Sequence, residues 1–250
     1  MISIISVVNN EEIFQSYLKK SLDKQTGILY EFIKIDNTDH QYSCMVDALN
    51  AGLQQAKGNF IFVVHPDIEL LDQYALRDIF TKVEEMHKKD PKIAIWGLAG
   101  VSGDASYSLY STLVHGKDRH QAGNHQIFKE KDAVEVMCVD ACFFGFYKKT
   151  ITAHPFWDGL TSWHLYIEEL SIRLAQNNQK TVVIPGRAWH LSAGSSLDSS
   201  YYREAKKVIK RYPQLPYFNT TSFHWEVNKK LPMKLSFYAL RYDIHHKLRK

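Results

Sequence analysis

The segment Ile2–Val8, with the sequence ISIISVV, is the strongest constraint on the fold. It is a continuous run of apolar and β-branched residues with only small serines among them. A strand with one wet face would alternate apolar with polar residues. A run like this one belongs to a strand covered on both sides. Tyr30–Asp36 (YEFIKID) reads as a second strand, the apolar run Phe60–Val64 (FIFVV) as a third and Lys92–Gly100 (KIAIWGLAG) as a fourth. Between them, residues 11–24, 43–56 and 73–89 carry apolar residues at helical spacing: Ile13, Phe14, Tyr17, Leu18 and Leu22 in the first, Met45, Leu49 and Leu53 in the second. Strand-helix alternation predicts an α/β fold whose sheet is mixed but mostly parallel, flanked by helices.

The pattern changes after residue 100. Residues 101–136 are rich in Gly, Ser, His and Tyr and lack helical period, which predicts hairpins and a long loop. Val134–Lys149 returns to a strand and a turn, residues 164–176 form a helix, and Lys180–Gly186 a last strand. Helices are expected to dominate from there on. A division into a domain over 1–200 and a basic helical extension over 201–250 follows. Lys and Arg outnumber Asp and Glu by roughly nine in the last 50 residues, while the chain as a whole is only +4. So small a total does not argue for nucleic-acid binding.

With 250 residues, 45% hydrophobic and 13% aromatic, the chain can bury a core. Its three cysteines, Cys44, Cys138 and Cys142, have neither disulfide-framework nor zinc-site spacing, and a reducing compartment is expected. The first residues read as a strand rather than a signal peptide, and no window approaches a membrane span. The expected location is the cytoplasm, so the sequon at Asn219-Thr220-Thr221 is discounted.

In open parallel sheets, ligands bind beyond the carboxyl ends of the strands. Asn9 and Asn10, Asp36 and Asn37, and His65 and Asp67 stand at three such ends. His65-Pro66-Asp67 has two readings: ligands for a divalent cation on a diphosphate, or a proline turn capping the next helix. Glu168-Glu169 is either a solvated helix face or holds a general base. Adjacent carboxylates point about 100° apart, so only one can face a cleft. His190 and the small residues Ser192–Ser196 suit a metal or phosphate, or merely a flexible loop. Cys138 and Cys142 read as packed thiols. The GxGxxG and GxxxxGK[ST] loops are absent, and so is a G-x-S-x-G elbow.

Taken in order, these segments resemble the family 2 glycosyltransferases with the GT-A fold, over about residues 2–196. The likeness is nearest to a bacterial branch with His-x-Asp in place of Asp-x-Asp. ALNAGLQQAKGNFIFVVHPDIEL carries the most specific part, with Asn50, Gly52, Ala56, Gly58, His65 and Asp67 in register. The resemblance implies an inverting, metal-dependent hexosyltransferase acting in bacterial surface polysaccharide synthesis. The donor is a nucleotide sugar, with UDP the expected nucleotide, and the acceptor is a glycan or lipid-linked glycan. Val8, Asn9, Asp36, Asn50 and His65 would contact the donor. Asp67 and His190, with His65, would hold Mn2+ or Mg2+. Glu169 would be the base, aligned with the second acid of the family's pair, and Asp140 and Trp163 would face the acceptor. His65 for Asp and Glu for the usual Asp base are departures from the pattern. They motivate an alternative, a non-catalytic GT-A-like module that binds a glycan or partner. A nucleotidyltransferase on a related fold would be expected to have a Gly-rich loop after the first strand, and VVNNEE is not one. The tail, residues 231–250, reads either as a helix packed on its own domain or as a basic helix on the inner face of the cell membrane.

Overall fold

The computed structural model describes residues 1–115, 126–127, 133–191 and 197–248. In its first half the elements are β1 (Ile2–Val8), α1 (Glu11–Phe14), α2 (Lys20–Leu22), β2 (Tyr30–Asp36), α3 (Met45–Gln55), β3 (Phe60–Val64), β4 (Ile68–Leu70), α4 (Ala75–Lys89), β5 (Ile93–Gly97) and β6 (Ala99–Val101). A π-helical turn, Gln15–Lys19, joins α1 to α2 into one continuous helix. Then follow β7 (Leu109–Ser111), β8 (Leu113–His115), β9 (Gln126–Ile127), β10 (Val134–Val136), β11 (Cys138–Val139), β12 (Phe143–Tyr147), α5 (Lys148–Ala153), α6 (Tyr166–Gln176), β13 (Lys180–Val183), β14 (Ala188–His190), α7 (Ser199–Arg211), β15 (Tyr217–Asn219), β16 (His224–Glu226) and α8 (Leu231–Leu248).

Seven strands form the main sheet in the order β10-β13-β5-β12-β3-β1-β2. β1, β2, β3, β5 and β13 run the same way; β12 and β10 run against them. The α/β class and the mostly parallel, mixed sheet thus hold. Both faces are covered, as the apolar runs require. Ile5, Ile61 and Val63 point into one core with Leu49, Phe144, Phe146 and Leu170. Their neighbours Ile4, Phe60 and Phe62 point into the other, with Phe14, Leu18, Leu76, Ile79 and Trp96. This is the period-2 alternation of strands, with both sides apolar.

Three expectations change. The strand expected over Lys92–Gly100 breaks at Leu98: β5 stays in the main sheet, and β6 enters a second sheet ordered β11-β6-β7-β9. The tail is not purely helical, since β15 and β16 form an antiparallel hairpin. A boundary at residue 200 cuts through a shared core. Tyr201, Ala205, Val208, Tyr212, Phe218 and Trp225 are buried in the same cluster as the sheet residues Ile61 and Phe144. Hydrogen bonds reinforce that union: Asn219 donates its amide to the carbonyls of Ser102 (2.8 Å) and Asp104 (2.9 Å). All three cysteines are buried and free. Among the described residues, no helix is long and apolar enough to cross a membrane.

Candidate active site

β3 ends at Val64, and a tight turn follows in which the Ile68 amide donates to the His65 carbonyl at 3.2 Å. Proline fixes the backbone at the second position of that turn, which reverses the chain into β4. β4 pairs antiparallel with β14, setting His190 opposite Ile68, and the Leu191 amide donates to the Asp67 carbonyl at 3.2 Å. Two segments more than a hundred residues apart are thereby held in register. Of the second reading of His65-Pro66-Asp67 the turn holds but the helix cap does not, since the turn leads into β4; it is also what brings the candidate ligands together.

One ligand atom from each of His65, Asp67 and His190 lies within 4.8 Å of the others. His190 Nε2 is 3.3 Å from Asp67 Oδ1. Neither ring nitrogen of the buried His190 makes a well-aligned hydrogen bond among the described residues. Such orphaned nitrogens facing a carboxylate and a second imidazole fit a divalent cation. The electrostatics differ between the two imidazoles. Burial pushes the His65 imidazole down and keeps it neutral, as a ligand must be. For His190 burial acts downward too, but the Asp67 carboxylate overrides it and raises the group. Asp67 is pushed up by burial and, more strongly, held down by the two imidazoles.

Asp140 precedes β12, which lies beside β3. Its carboxylate accepts hydrogen bonds from the Cys142 amide (2.9 Å) and from the Thr221 hydroxyl (2.6 Å) of the β15–β16 hairpin. Burial acts to raise it, but these bonds and the field of His190 hold it at about 2. Asp140 is therefore a fixed negative charge.

α6 begins from Leu165, whose backbone is left-handed (φ 64°) although its side chain is buried. A branched residue in that region costs about 1–3 kcal/mol and persists only where packing imposes it. The helix then turns its two glutamates to different partners. Glu169 is fully buried in a cage: Arg173 donates from Nε and Nη2 at 3.1 Å each, Tyr212 donates its hydroxyl at 2.6 Å, and Arg211 Nε lies 3.5 Å away. Both of its oxygens are engaged in this cage, a setting unlike the free carboxylate that the expectation of Glu169 as the base calls for. Glu168 faces the other way. It is buried, and Oε2 has no hydrogen-bond partner among the described residues. Desolvation, with Asp140 adding repulsion, raises it to about 8.

The remaining expected residues divide. Val8 pairs with Asp36 across β1 and β2, so Asn9 and Asp36 stand together at the strand ends, both exposed. The Thr38 amide and hydroxyl donate to Asp36 and, with Lys34, hold it at about 2. Asn10 instead caps the first helix by accepting from the Ile13 amide at 3.0 Å. Asn50 is not at this end. It lines a shallow pocket of about 450 Å3 with Lys148, Ile151 and Thr152, just past Tyr147, which pairs with Phe60 at the start of β3. α3 runs down the sheet from its carboxyl end, and Asn50 has travelled with it. Trp163 is partly exposed in the loop that leads into α6. The stretch Ser192–Ser196 lies outside the described residues.

Sequence reasoning missed two contributors. His115, at the end of β8, is paired in register with His190, and their ring centroids are 5.5 Å apart. Thr221 reaches Asp140 from the hairpin. Neither lies in a periodic segment, and only pairing across distant strands brings them in.

The profile described as "Glycosyltransferase like family" matches residues 3–212. A search of curated protein sequences found no significant match. Among solved structures, GalNAc-T7 with UDP, GalNAc and Mn2+ superposes with a TM-score of 0.58 at 12% identity, over 84% of this chain and 47% of that one. S. aureus TarS residues 1–349 with UDP-GlcNAc gives 0.56 at 14% identity, over 96% and 71%. S. aureus TarS gives 0.54 at 16% identity, over 84% and 39%. The chain thus spans less than half the length of GalNAc-T7 and of the longer TarS chain. A family match over most of its length and a shared sheet architecture lead to one conclusion: the chain belongs to the glycosyltransferase-like family and has the GT-A fold.

Proposed function

We propose that the protein transfers a sugar from a UDP-sugar to a hydroxyl of a glycan or lipid-linked glycan, with inversion at the anomeric carbon. The observation that carries this reading is the joining of two groups by one residue. Asp140 is felt electrostatically both by His190 of the His65–Asp67–His190 cluster and by Glu168. A cation corner and a buried carboxyl of raised basicity are the two parts such a transfer needs. UDP as the nucleotide is supported by the UDP and UDP-GlcNAc bound to the similar structures. A bacterial surface polysaccharide as the destination rests on the sequence resemblance.

His65, Asp67 and His190 would hold the divalent cation, and its chemistry would be to neutralise charge on the leaving diphosphate. Two imidazoles in a set of three donors favour Mn2+ over Mg2+. Asp36 and Asn9 would receive the nucleoside at the ends of β1 and β2. Glu168, in its ionised form, would take the proton of the acceptor hydroxyl. The oxygen then bonds to the anomeric carbon from the face opposite the diphosphate, and the bond to the diphosphate oxygen breaks. Trp163 offers an aromatic face to an acceptor ring. Asp140, fixed and negative, keeps Glu168 basic. Glu169 acts only by anchoring the helix that carries Glu168.

Calorimetric titration with UDP, in the presence and absence of Mn2+, tests this. Tight binding that weakens at least ten-fold on chelation, and again in Asp67→Ala, is expected. No binding of UDP or any other nucleoside diphosphate under either condition would sink the proposal.

A further inference from the structure

α8 has two apolar stripes, on opposite sides. Leu231, Leu235 and Ala239, four residues apart, are buried against the body of the protein. Met233, Phe237, Leu240 and Ile244 follow one another at steps of four, three and four, which puts them on one continuous stripe. They are 70%, 61%, 56% and 49% exposed. A surface helix normally has one apolar face, turned to the core. The second stripe is out of place unless something covers it.

The flanking charge says what kind of surface that is. Lys234, Arg241 and His245 are exposed alongside the stripe. Asp243 is the one acidic residue of α8, and it is ion-paired with Arg203 of α7. In the sequence Lys229 and Lys230 precede the helix, Lys247 stands near its end, and Arg249 and Lys250 follow it. A second copy of this chain would bring the same cations and no free carboxylate from this face. The stripe also spans fewer than two heptads, about 16 Å at 1.5 Å per residue, which is short for a stable helix pair. A bilayer rich in anionic lipid answers both features. It accepts an apolar stripe among acyl chains, supplies phosphates to the basic flank, and needs no shape match.

We propose that the outer face of α8 docks on an anionic lipid surface, with Phe237, Leu240, Ile244 and Met233 inserted and Lys234 and Arg241 at the headgroups. The helix is firmly joined to the rest of the molecule. Tyr242 donates its hydroxyl to the Leu197 carbonyl, and Lys206 of α7 donates to the Ser236 hydroxyl at 2.6 Å. Docking therefore fixes the orientation of the whole protein on the surface, not of a loose tail. This holds whatever the donor sugar is.

The test is co-sedimentation of the full chain with vesicles of phosphatidylcholine alone and of phosphatidylcholine with 30 mol% phosphatidylglycerol, at low and high salt. Binding to the anionic vesicles only, weakened by salt, is expected. Phe237→Ser/Ile244→Ser and Lys234→Glu/Arg241→Glu should each lower the partition coefficient about ten- to thirty-fold. Because these side chains are exposed, both variants should unfold at the wild-type temperature, which melting curves check. Failure of the wild type to bind anionic vesicles overturns the proposal, as does binding that neither variant weakens. A stable dimer in light scattering that Phe237→Ser/Ile244→Ser converts to monomer assigns the stripe to a second copy and overturns it too.

Discussion

A carboxyl group buried without a cation resists ionisation, and Glu168 is in that position at about 8. The consequence for stability has a definite sign. The folded group holds its proton up to about pH 8, whereas the unfolded one releases it near 4.5. Proton binding at Glu168 therefore contributes stability that is complete below about pH 4.5 and is lost as pH rises to about 8, roughly 3–5 kcal/mol across the window. Glu168→Gln keeps the shape and removes the ionisation. At pH 8.5 it should melt several degrees above wild type while losing about 10²–10⁴-fold in transfer rate. In the wild type, transfer should rise with pH as a single ionisation near 8. Glu169→Gln is the control: it leaves Arg173 facing a neutral partner and should cost about 2–3 kcal/mol of stability, with no change in that pH profile. If Glu169→Gln abolishes the ionisation and Glu168→Gln does not, the roles are reversed. The residues alone could not choose between the two, and the family resemblance chose Glu169. Helical spacing fixes that they point apart by about 100°, but the cage around Glu169 is completed by Arg211 and Tyr212, some forty residues downstream.

At the scale of elements, legibility followed the reach of the interactions. β1 and β3 were readable because burial on both faces leaves a continuous apolar run, whereas β2, at the edge of the sheet, is interrupted by Glu31 and Lys34. The Asn50–Gly58 motif was readable as well, but its glycines serve packing. A Cβ on Gly52 would meet Ile5 Cγ2 at 2.7 Å, and one on Gly58 would meet the Ser3 backbone nitrogen at 2.6 Å. The second contact is with main chain, which cannot swing aside. Gly58→Ala should therefore lower stability by about 2 kcal/mol or more, read as a shift in the denaturant midpoint. The candidate metal corner was legible only as a set of residues: His65, Asp67 and His190 were expected together, whereas the β4–β14 register that joins them is a non-local pairing. His115 arrives by the same route, through β8, from a stretch without any period. The β15–β16 hairpin was overlooked because Pro213 and Pro216 stand just before its short strands, so that the segment reads as a connection between helices.

For the whole molecule, the important departure is that residues beyond 200 complete the domain. Tyr201, Tyr212, Phe218 and Trp225 fill the core under α6, and Thr221 closes on Asp140. A chain truncated after residue 200 should fail to fold, giving insoluble protein or a broad, non-cooperative melt; a soluble, sharply melting 1–200 fragment would restore the boundary that the sequence suggested. Many of the cations that made the tail look detached, among them Arg203, Lys210, Lys234 and Arg241, lie on its outside, and hydrophobic content alone did not reveal the inner face.

The central position of β12 bears on the order in which the chain can assemble. β3 and β5 are both complete by residue 97, yet they never touch, since β12 lies between them and pairs with each. Until residues 143–147 leave the ribosome, each of those strands has an open edge of unsatisfied amides and carbonyls beside Phe60, Phe62 and Trp96. The half-made protein thus passes through a stage in which its stickiest strands lack their partner; β12 closes the gap between β3 and β5, and β5 keeps a second open edge until β13, at residues 180–183, pairs with it.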